Sequence, residues 1–534
     1  MIRRLEWTVG AMMVIFAITL HVVFLLNAGG FWRDEVSRIQ LATLPSLSSV
    51  WSSLKYDVYP LLSPLVIRLW AGTGWGGTDL GLRVLGLFTG IAILGSLWFN
   101  ARQFSRSLPL LSMSLFALSP LTIRTGDAVG QYGLGIFLNL LVFGLIWDVV
   151  ESPSLWRSLA ALPAAVLSMQ CVYQSVLLIF AFCMGGIAVT IYNARWKRAA
   201  LLAGIGIISA LSLFPYMGII KRSADWGVLV QYPNTLNLTW EILERILGYP
   251  IRAVFWIWVG LFLLAVFVAG HRILRRNTEV TDQRERDAAL FLGTVMVTCT
   301  VEFFIFFRVM KIFPNSWYFL YPMAIVAVSL DAILGSRKSW GLWRAALALL
   351  ILVSTYIPVW NTVRMRQTNM DLIAAKLKDV ATPDDIILVN PWYLGVTFQR
   401  YYKGRAPWMT IPPMEDLKIH RYDLLKKKMA SPDPLQPVLS RIAMTLQAGN
   451  RLWLVGSFSL PENGQPPGLL EPAPHEKYGW DFRPYLLNWE TRTTYFIESH
   501  ARDHGFFWKS SNETPVNPNE NARLDMVHGW RSGY

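Results

Sequence analysis

The sequence predicts an α-helical, multi-spanning membrane protein with about 11 transmembrane helices and a C-terminal extracytoplasmic α/β domain. Three observations predict this fold class. Of the 534 residues, 53% are hydrophobic and only 16% are charged, which is too apolar for a soluble protein of this length. Apolar runs that could cross a bilayer recur as far as residue 361. Beyond that point, helix and strand patterns alternate in a more polar sequence.

The first apolar run, at residues 9–26, follows Arg3 and Arg4. It is longer than the core of a typical signal peptide and long enough to span a bilayer, so we expect a retained first helix. The run at 60–72 contains two prolines and an arginine, which favours a helix lying on the membrane surface or dipping into it. Ten further apolar runs predict spans, at about 80–100, 107–124, 131–150, 156–170, 172–192, 199–218, 253–273, 288–308, 316–334 and 342–361.

The basic residues predict the orientation of these spans. The net charge of +14 is scattered over short loops and is not concentrated in one patch, so it indicates topology and not a nucleic-acid-binding surface. With a cytoplasmic N-terminus, most Lys and Arg outside the C-terminal part fall in cytoplasmic loops. An odd number of spans then places residues 362–534 on the outer side. We therefore expect a multi-pass protein of the cytoplasmic (inner) membrane with an extracytoplasmic C-terminal domain.

Two domains are predicted: a transmembrane module at 1–361, whose first outer loop covers 29–79, and a soluble domain at 362–534. The soluble part begins with "MDLIAAKLKDV", which has the spacing of an amphipathic helix. The segments "DDIILVNP" and "RLWLVGS" have the composition of buried strands, and "YLGVTFQRYYKG" lies between them as a helix. This alternation is typical of a small α/β domain.

An adjacent pair of carboxylates, Asp34 and Glu35, follows the first span in "GGFWRDEVSRIQ". One interpretation is that both carboxylates are solvated loop residues with no function. At a membrane exit, however, an unpaired carboxylate is costly and is usually functional. The pair also opens the long first outer loop, and another acidic residue, Asp127 in "RTGDAVGQYGL", lies at a second span exit. We therefore interpret the pair as part of a candidate active site.

Several short motifs follow one another in a fixed order over most of the chain: "WRDE", "DVYPLLSPLVIRLW", "LGLRVLGLFTGI", "LSPLTIRTGDAVGQYGLGIFL", "NSWYFLYPMAIVAVSL" and "PDDIILVNPW". In this order the chain resembles the polyprenyl-phosphate-dependent glycosyltransferases of the GT-C fold, close to the protein mannosyltransferase and aminoarabinose transferase group. Two positions depart from that pattern. Tyr59-Pro60-Leu61 stands where the family commonly has His-Pro-Pro, and Trp317-Tyr318 stands where it commonly has Arg-Tyr. Both departures affect substrate contacts and leave the acidic pair unchanged.

The resemblance implies a single displacement, with inversion, at the anomeric carbon of a hexose or pentose. A lipid-linked phosphate leaves while an acceptor hydroxyl attacks, and the hydroxyl must lose its proton to a positioned base. The family carries this role on the residue that matches Asp34. Glu35 would orient the base or the acceptor, since a neighbouring carboxylate can raise the proton affinity of its partner.

The resemblance also implies cations near the leaving phosphate. The candidates for binding the donor phosphate are Arg83, Arg308 and Lys311. Arg83 can equally be an arginine that snorkels to the membrane interface. The candidates for binding substrate are Tyr59, Arg124, Asp127 and Tyr132. For Arg124 and Asp127, a mutual structural salt bridge is an equally good interpretation.

No cofactor is expected. The sequence contains no cluster with metal-ligand spacing in its outer loops, and no dinucleotide-binding or Walker motif, which fits a donor carried on lipid. Some GT-C enzymes use a divalent cation, so a cation bridging Asp34, Asp127 and phosphate stays an alternative. The expected partners are a polyprenyl-phosphate-linked sugar, a glycan, lipid or protein acceptor, and the lipid bilayer, with no nucleic acid.

Two other functions fit a protein of this class. The first is a transporter or flippase of a lipid-linked substrate, but transporters often show paired repeats with broken helices at mid-membrane, and this sequence shows none. The second is a non-catalytic membrane partner of a polysaccharide assembly system, whose outer domain would make the contacts. The acidic pair favours the enzyme over both alternatives.

Overall fold

The computed structural model describes residues 2–57, 59–105, 107–232, 234–274, 280–460, 479–510 and 515–531. The chain divides into two compact units. The first unit comprises Met1–Leu25, Tyr59–Gly218 and Tyr232–Val363, and the second comprises Leu26–Val58, Ile219–Gln231 and Arg364–Tyr534.

The α-helices are numbered in chain order through both units. As far as residue 192 they are α1 (Ile2–Asn27), α2 (Arg33–Ala42), α3 (Leu47–Ser53), α4 (Leu62–Gly72), α5 (Asp79–Phe104), α6 (Leu110–Ser112), α7 (Pro120–Gly126), α8 (Gln131–Glu151), α9 (Leu155–Cys171) and α10 (Ser175–Tyr192). Those that follow are α11 (Trp196–Leu211), α12 (Met217–Gly227), α13 (Leu236–Leu247), α14 (Ala253–Leu274), α15 (Val280–Met310), α16 (Ser316–Gly335), α17 (Gly341–Val363), α18 (Met370–Val380), α19 (Leu394–Tyr401), α20 (Tyr422–Ala430), α21 (Gln436–Gln447) and α22 (Phe482–His500).

Within the described residues, nine helical segments are long and apolar enough to cross a membrane: Ile2–Asn27, Asp79–Phe104, Gln131–Glu151, Ser175–Tyr192, Trp196–Val230, Ala253–Leu274, Gln283–Met310, Ser316–Gly335 and Gly341–Val363. This confirms the predicted multi-spanning helical fold. The other two predicted spans, at 107–124 and 156–170, are not among these nine segments. The run at 156–170 forms α9, which has 17 residues and contains Pro163. The run at 60–72, predicted as a surface helix, forms the 11-residue helix α4.

The predicted span at 107–124 is interrupted. It forms α6, a five-residue π-helical turn at Met113–Ala117, and α7. Pro109 precedes α6 and Pro120 opens α7, and a proline cannot donate the backbone hydrogen bond that a continuous helix needs. The start of α6 is held by Asp331 of α16, whose carboxylate accepts the N–H groups of Leu111 (2.9 Å) and Ser112 (2.6 Å).

The second unit contains a five-stranded sheet in the order β2-β1-β3-β5-β4. The strands are β1 (Ile386–Asn390), β2 (Trp408–Thr410), β3 (Leu452–Gly456), β4 (Ala501–Trp508) and β5 (Arg523–Trp530). Strand β1 pairs in parallel with β2 and β3, and β5 pairs antiparallel with β3 and β4. All five residues of β1 and of β3 are buried, because helices such as α18 and α19 cover them. The predicted small α/β domain is thus confirmed, and both predicted strands are present.

Residues 28–42 pack within this second unit. Gln367 donates its N–H to the carbonyl of Ala28 (2.7 Å), and the hydroxyl of Tyr401 accepts the N–H of Phe31 (2.7 Å). Gly29 has a φ of +63°, and a Cβ at this position would lie 2.3 Å from the guanidinium carbon of Arg366. A glycine is therefore required here, and the helix that carries the acidic pair is docked against the C-terminal residues.

Candidate active site

The acidic pair lies in the first turn of α2, where carboxylates favour helix formation because backbone N–H groups there lack helical partners. Glu35 occupies the third position of α2, and its Oε2 accepts the N–H of Trp32 at 3.3 Å. This is the reciprocal part of a capping box. Glu35 is only 2% exposed. Its carboxylate therefore fixes the start of the helix that presents its neighbour.

Asp34 differs from Glu35 in being accessible. Its side chain is 31% exposed. Two nitrogen atoms lie 3.9 Å from its Oδ1: the Nε of Arg33, which is cationic, and the Nδ1 of His420, which is cationic only when protonated. The carboxylate of Asp34 is thus accessible to solvent, whereas Glu35 is buried. The two predicted catalytic residues are adjacent in sequence but differ in solvent exposure.

Arg33 is held in place beside Asp34 by a buried carboxylate. Its Nη1 lies 2.9 Å from Oε1 of Glu520, whose side chain is 0% exposed, and its guanidinium lies 4.4 Å from the ring centre of Tyr393. Burial alone would lower the pKa of Arg33, but the carboxylates of Glu520 and Asp34 outweigh burial and raise it. Arg33 therefore stays cationic next to the candidate base.

Burial raises the pKa of Glu520 from 4.5 to about 7, although the charge of Arg33 opposes the shift. Because the folded protein binds this proton more tightly than the unfolded chain, Glu520 contributes stability that is fully present below pH 4.5 and is lost as the pH rises through about 7. We expect the free energy of unfolding, measured in detergent micelles, to fall more steeply from pH 4.5 to pH 7 in the wild type than in Glu520→Gln. Identical slopes for the two proteins would contradict this assignment.

Neither His420 nor Glu520 is among the residues predicted from the sequence. His420 is 386 positions from Asp34 and Glu520 is 487 positions from Arg33 in the numbering, and no local motif marks either. Burial lowers the pKa of His420 to about 4, with Asp34 opposing the shift. The imidazole is therefore neutral at physiological pH. Only the fold brings these two side chains to the start of α2.

In the first unit, Asp127 follows α7 and is paired with His21 of α1. The Nδ1 of His21 lies 2.7 Å and 2.9 Å from the two carboxylate oxygens of Asp127, and both residues are buried. Arg83 of α5 is also buried, and its charge acts on the Asp127 carboxylate. The fold thus brings two predicted site residues, Arg83 and Asp127, close enough to interact.

The space for the His21–Asp127 pair comes from glycines of α5. A Cβ on Gly90 would lie 2.2 Å from Oδ1 of Asp127 and 2.6 Å from Nδ1 of His21, whereas a Cβ on Gly95 would meet nothing within 4 Å. Overpacking a tight site typically costs about 1–3 kcal/mol. We expect Gly90→Ala to lower the thermal unfolding midpoint in detergent and Gly95→Ala, the control in the same helix, to leave it unchanged or raise it. Equal midpoints for the two variants would contradict the crowding at Gly90.

Two predicted substrate-binding tyrosines lie together in the first unit. The hydroxyl of Tyr59 donates to the hydroxyl of Tyr132 at 3.2 Å, and the two rings meet edge to face with centroids 5.8 Å apart. The ring of Trp317 lies 5.9 Å from that of Tyr132. Both positions that depart from the family pattern, at 59 and 317, therefore contribute to one aromatic cluster. Arg124 lies in α7 and is half-buried.

Arg308 and Lys311 lie at the end of α15 and are exposed. The Nη1 of Arg308 donates to the carbonyl of Asn234 at 2.9 Å, and Lys311 turns the chain with a φ of +51°. The carbonyl of Lys311 accepts the N–H of Tyr232 at 2.6 Å. The two cations are thus close in sequence and held on one ordered turn, and their role in phosphate binding stays a prediction.

The described residues contain no group of three or more His, Cys, Asp or Glu side chains placed to hold a metal ion. The structure thus offers no ready-made acidic or histidine-rich metal site in these segments. The expectation that the protein uses no cofactor stays a prediction.

Comparison with known proteins shows the fold of this chain. No family model and no curated protein matches the chain. The structure of ArnT from Cupriavidus metallidurans in the apo state is 13% identical, with 83% of this chain and 92% of that chain covered and a TM-score of 0.51. For the same protein bound to undecaprenyl phosphate, the identity is 12%, the covered shares are again 83% and 92%, and the TM-score is 0.49.

A third similar structure is the Archaeoglobus fulgidus oligosaccharyltransferase tethered to an acceptor peptide. It is 11% identical, with 98% of this chain and 74% of that chain covered and a TM-score of 0.47. At these identities, the likeness to the apo ArnT structure shows a shared fold.

Proposed function

We propose that this chain, which has the GT-C fold, is an inverting glycosyltransferase that moves a sugar from a polyprenyl-phosphate donor to an acceptor hydroxyl. The observation that carries the proposal is the accessible carboxylate of Asp34 on a helix fixed at its first turn by Glu35. ArnT, whose apo structure is similar to this chain, has also been seen with undecaprenyl phosphate, and sugars linked to a lipid phosphate of this kind are the donors that we test first. The transferred group is a hexose or a pentose.

The proposed reaction needs one base and one leaving group. The acceptor hydroxyl gives its proton to Asp34 while its oxygen attacks the anomeric carbon from the face opposite the lipid phosphate. The bond between the anomeric carbon and the phosphate oxygen breaks, and its electron pair leaves with the phosphate. Because the phosphate is already a good leaving group and Asp34 accepts the proton, the scheme needs no resident cofactor.

We assign the leaving phosphate to Arg83, Arg308 and Lys311, since cations stabilise the charge that develops on the departing oxygen. Substrate contacts are assigned to the aromatic pair Tyr59 and Tyr132, together with Arg124 and Asp127. The reaction would take place on the extracytoplasmic side of the inner membrane. This side is supported by the distribution of Lys and Arg along the sequence.

The proposal is tested with the full-length protein reconstituted in liposomes and a panel of polyprenyl-phosphate sugars. We expect release of polyprenyl phosphate from one donor when a membrane lipid, glycan or protein extract is supplied as acceptor. NMR of the purified product should show an inverted anomeric configuration.

A parallel assay follows translocation of each lipid donor by its accessibility to periodate outside the liposome. Translocation without cleavage of any donor would replace the transferase with a flippase. If no donor of the panel is cleaved and none is translocated, the result favours a non-catalytic membrane partner.

A further inference from the structure

The loop before α20 is fixed against the helix that carries the candidate base. The backbone N–H of His420 donates to the hydroxyl of Ser37 at 3.2 Å. Ser37 is three residues after Asp34 in α2, and residues at this spacing share a helix face. His420 is therefore held on the face of α2 that presents Asp34.

The neighbours of His420 fix both its backbone and its ring. The next residue, Arg421, binds the carboxylates of Asp416 at 2.6 Å and Asp423 at 2.8 Å, which ties the loop to the start of α20. The ring of Trp392 stands at 88° to the imidazole, with centroids 6.1 Å apart. The imidazole thus has few alternative orientations, and its Nδ1 points to within 3.9 Å of Oδ1 of Asp34.

We propose that His420 is a positioning residue that donates a hydrogen bond from Nδ1 to Oδ1 of Asp34 and so leaves Oδ2 free to take the proton of the acceptor hydroxyl. This inference rests on the proposed function. The separation of 3.9 Å shortens to a hydrogen bond when the lipid phosphate is bound, since catalytic hydrogen bonds are often long in the absence of substrate. His420 touches neither substrate, so it acts only through Asp34.

A neutral imidazole suits this role better than a cationic one. A full positive charge beside a carboxylate stabilises the ionised form and weakens the carboxylate as a base. Burial lowers the pKa of His420 to about 4, with Asp34 raising it and with Arg33 and Arg38 of the same helix lowering it. The packed rings of Trp392 and Tyr422 add no charge. The imidazole therefore orients Asp34 without adding a second positive charge to that of Arg33.

Three substitutions separate positioning from packing. In His420→Asn, the amide nitrogen takes the place of Nδ1 and keeps the donor, whereas in His420→Gln the amide takes the place of the far ring nitrogen. His420→Ala removes the donor altogether. We expect kcat in the Ala and Gln variants to fall about tenfold to a hundredfold, as for loss of one hydrogen bond to a charged group, with the KM for the lipid donor unchanged. The Asn variant should stay near the wild type.

The pH dependence of the rate provides a second test, because loss of a purely structural residue would leave it unchanged. Without the Nδ1 donor, the acid limb of kcat, which reports the bound complex, should shift to higher pH in the Ala variant and stay in place in the Asn variant. Thermal unfolding of all three variants shows whether each is folded. An Asn variant as impaired as the Ala variant, or an Ala variant as active as the wild type, would overturn the proposal.

An infrared measurement tests the contact without turnover, so that its failure is distinguishable from failure of the proposed function. The difference spectrum between the protein and its Asp34→Asn variant, both saturated with polyprenyl phosphate, isolates the carboxylate stretch of Asp34. This band should shift on His420→Ala and not on His420→Asn, because only the former removes the hydrogen bond. A band that is unchanged in His420→Ala would refute the positioning role even in a protein that cleaves every donor.

Discussion

Asp34→Asn is expected to lower kcat for sugar transfer by about 10²–10⁴-fold, the usual contribution of a general base. Asparagine has nearly the same shape as aspartate but cannot accept the acceptor's proton. The KM for the lipid donor should change little, since the donor phosphate is assigned to other residues. The measurement is release of polyprenyl phosphate by reconstituted protein with a saturating acceptor, together with donor binding by the same preparation.

The matched control is Asp503→Asn, which removes an exposed carboxylate of β4 in the same unit; the Asp503 side chain is 68% exposed. This variant should transfer sugar at the wild-type rate. If Asp34→Asn kept more than about a tenth of the wild-type kcat, Asp34 would contribute less than the smallest usual general-base effect. Asp34 would then be an accessible carboxylate of the first turn of α2 with no catalytic role, and the base would have to be another residue.

The largest effect on stability is expected at the pair of Arg33 and Glu520, in which the Glu520 side chain is fully buried and that of Arg33 is 24% exposed. Removing one partner of a buried pair leaves an uncompensated charge, which typically costs about 3–5 kcal/mol. Glu520→Ala would leave the guanidinium of Arg33 in this position, packed on the ring of Tyr393, without its 2.9 Å partner. We expect the free energy of unfolding at pH 8, where Glu520 is largely ionised, to fall by an amount in this range. Denaturant unfolding of the full-length protein in detergent measures it.

Asp503→Ala serves as the control here as well, because the Asp503–His528 contact of 3.3 Å is exposed and exposed pairs contribute about 0–1 kcal/mol. The double variant Arg33→Met/Glu520→Leu should recover most of the lost stability, since it removes both charges and keeps the volume. A single variant Glu520→Ala as stable as the wild type, or a double variant as unstable as the single one, would show that the pair does not hold α2 in place.

Much of the fold could be predicted because it depends on local composition. A bilayer requires about 20 apolar residues for each spanning helix, so the positions of most spans are visible in the sequence. The strands β1 and β3 are continuous apolar runs, as buried parallel strands require. Strands β4 and β5 have mixed patterns, with exposed positions at Arg502, Asp503 and Arg523, and were not predicted. The pairing of β5 with β3 and of β4 with β5 depends on the partner strand more than on local propensity.

The candidate site could be predicted only in part. The order of the motifs marked Asp34, Glu35, Arg83 and Asp127 as a group. It did not distinguish the accessible carboxylate of Asp34 from the buried one of Glu35, because burial of neighbouring residues in a helix depends on what packs against each face. The partner of Asp127 was also not foreseen: His21 lies 106 positions away, and the contact exists because Gly90 leaves room for it.

The sequence by itself determined that this chain is a multi-spanning helical protein with an α/β domain and an acidic pair at its first span exit. Hydrophobic length, strand composition and charge distribution are properties of short segments, and a membrane or a sheet imposes them directly. Only the tertiary structure decided that α2 belongs with the C-terminal residues, that Glu520 pairs with Arg33, and that His420 faces Asp34. These contacts join residues nearly 400 or more positions apart, and their stability comes from mutual burial, which no local sequence pattern records.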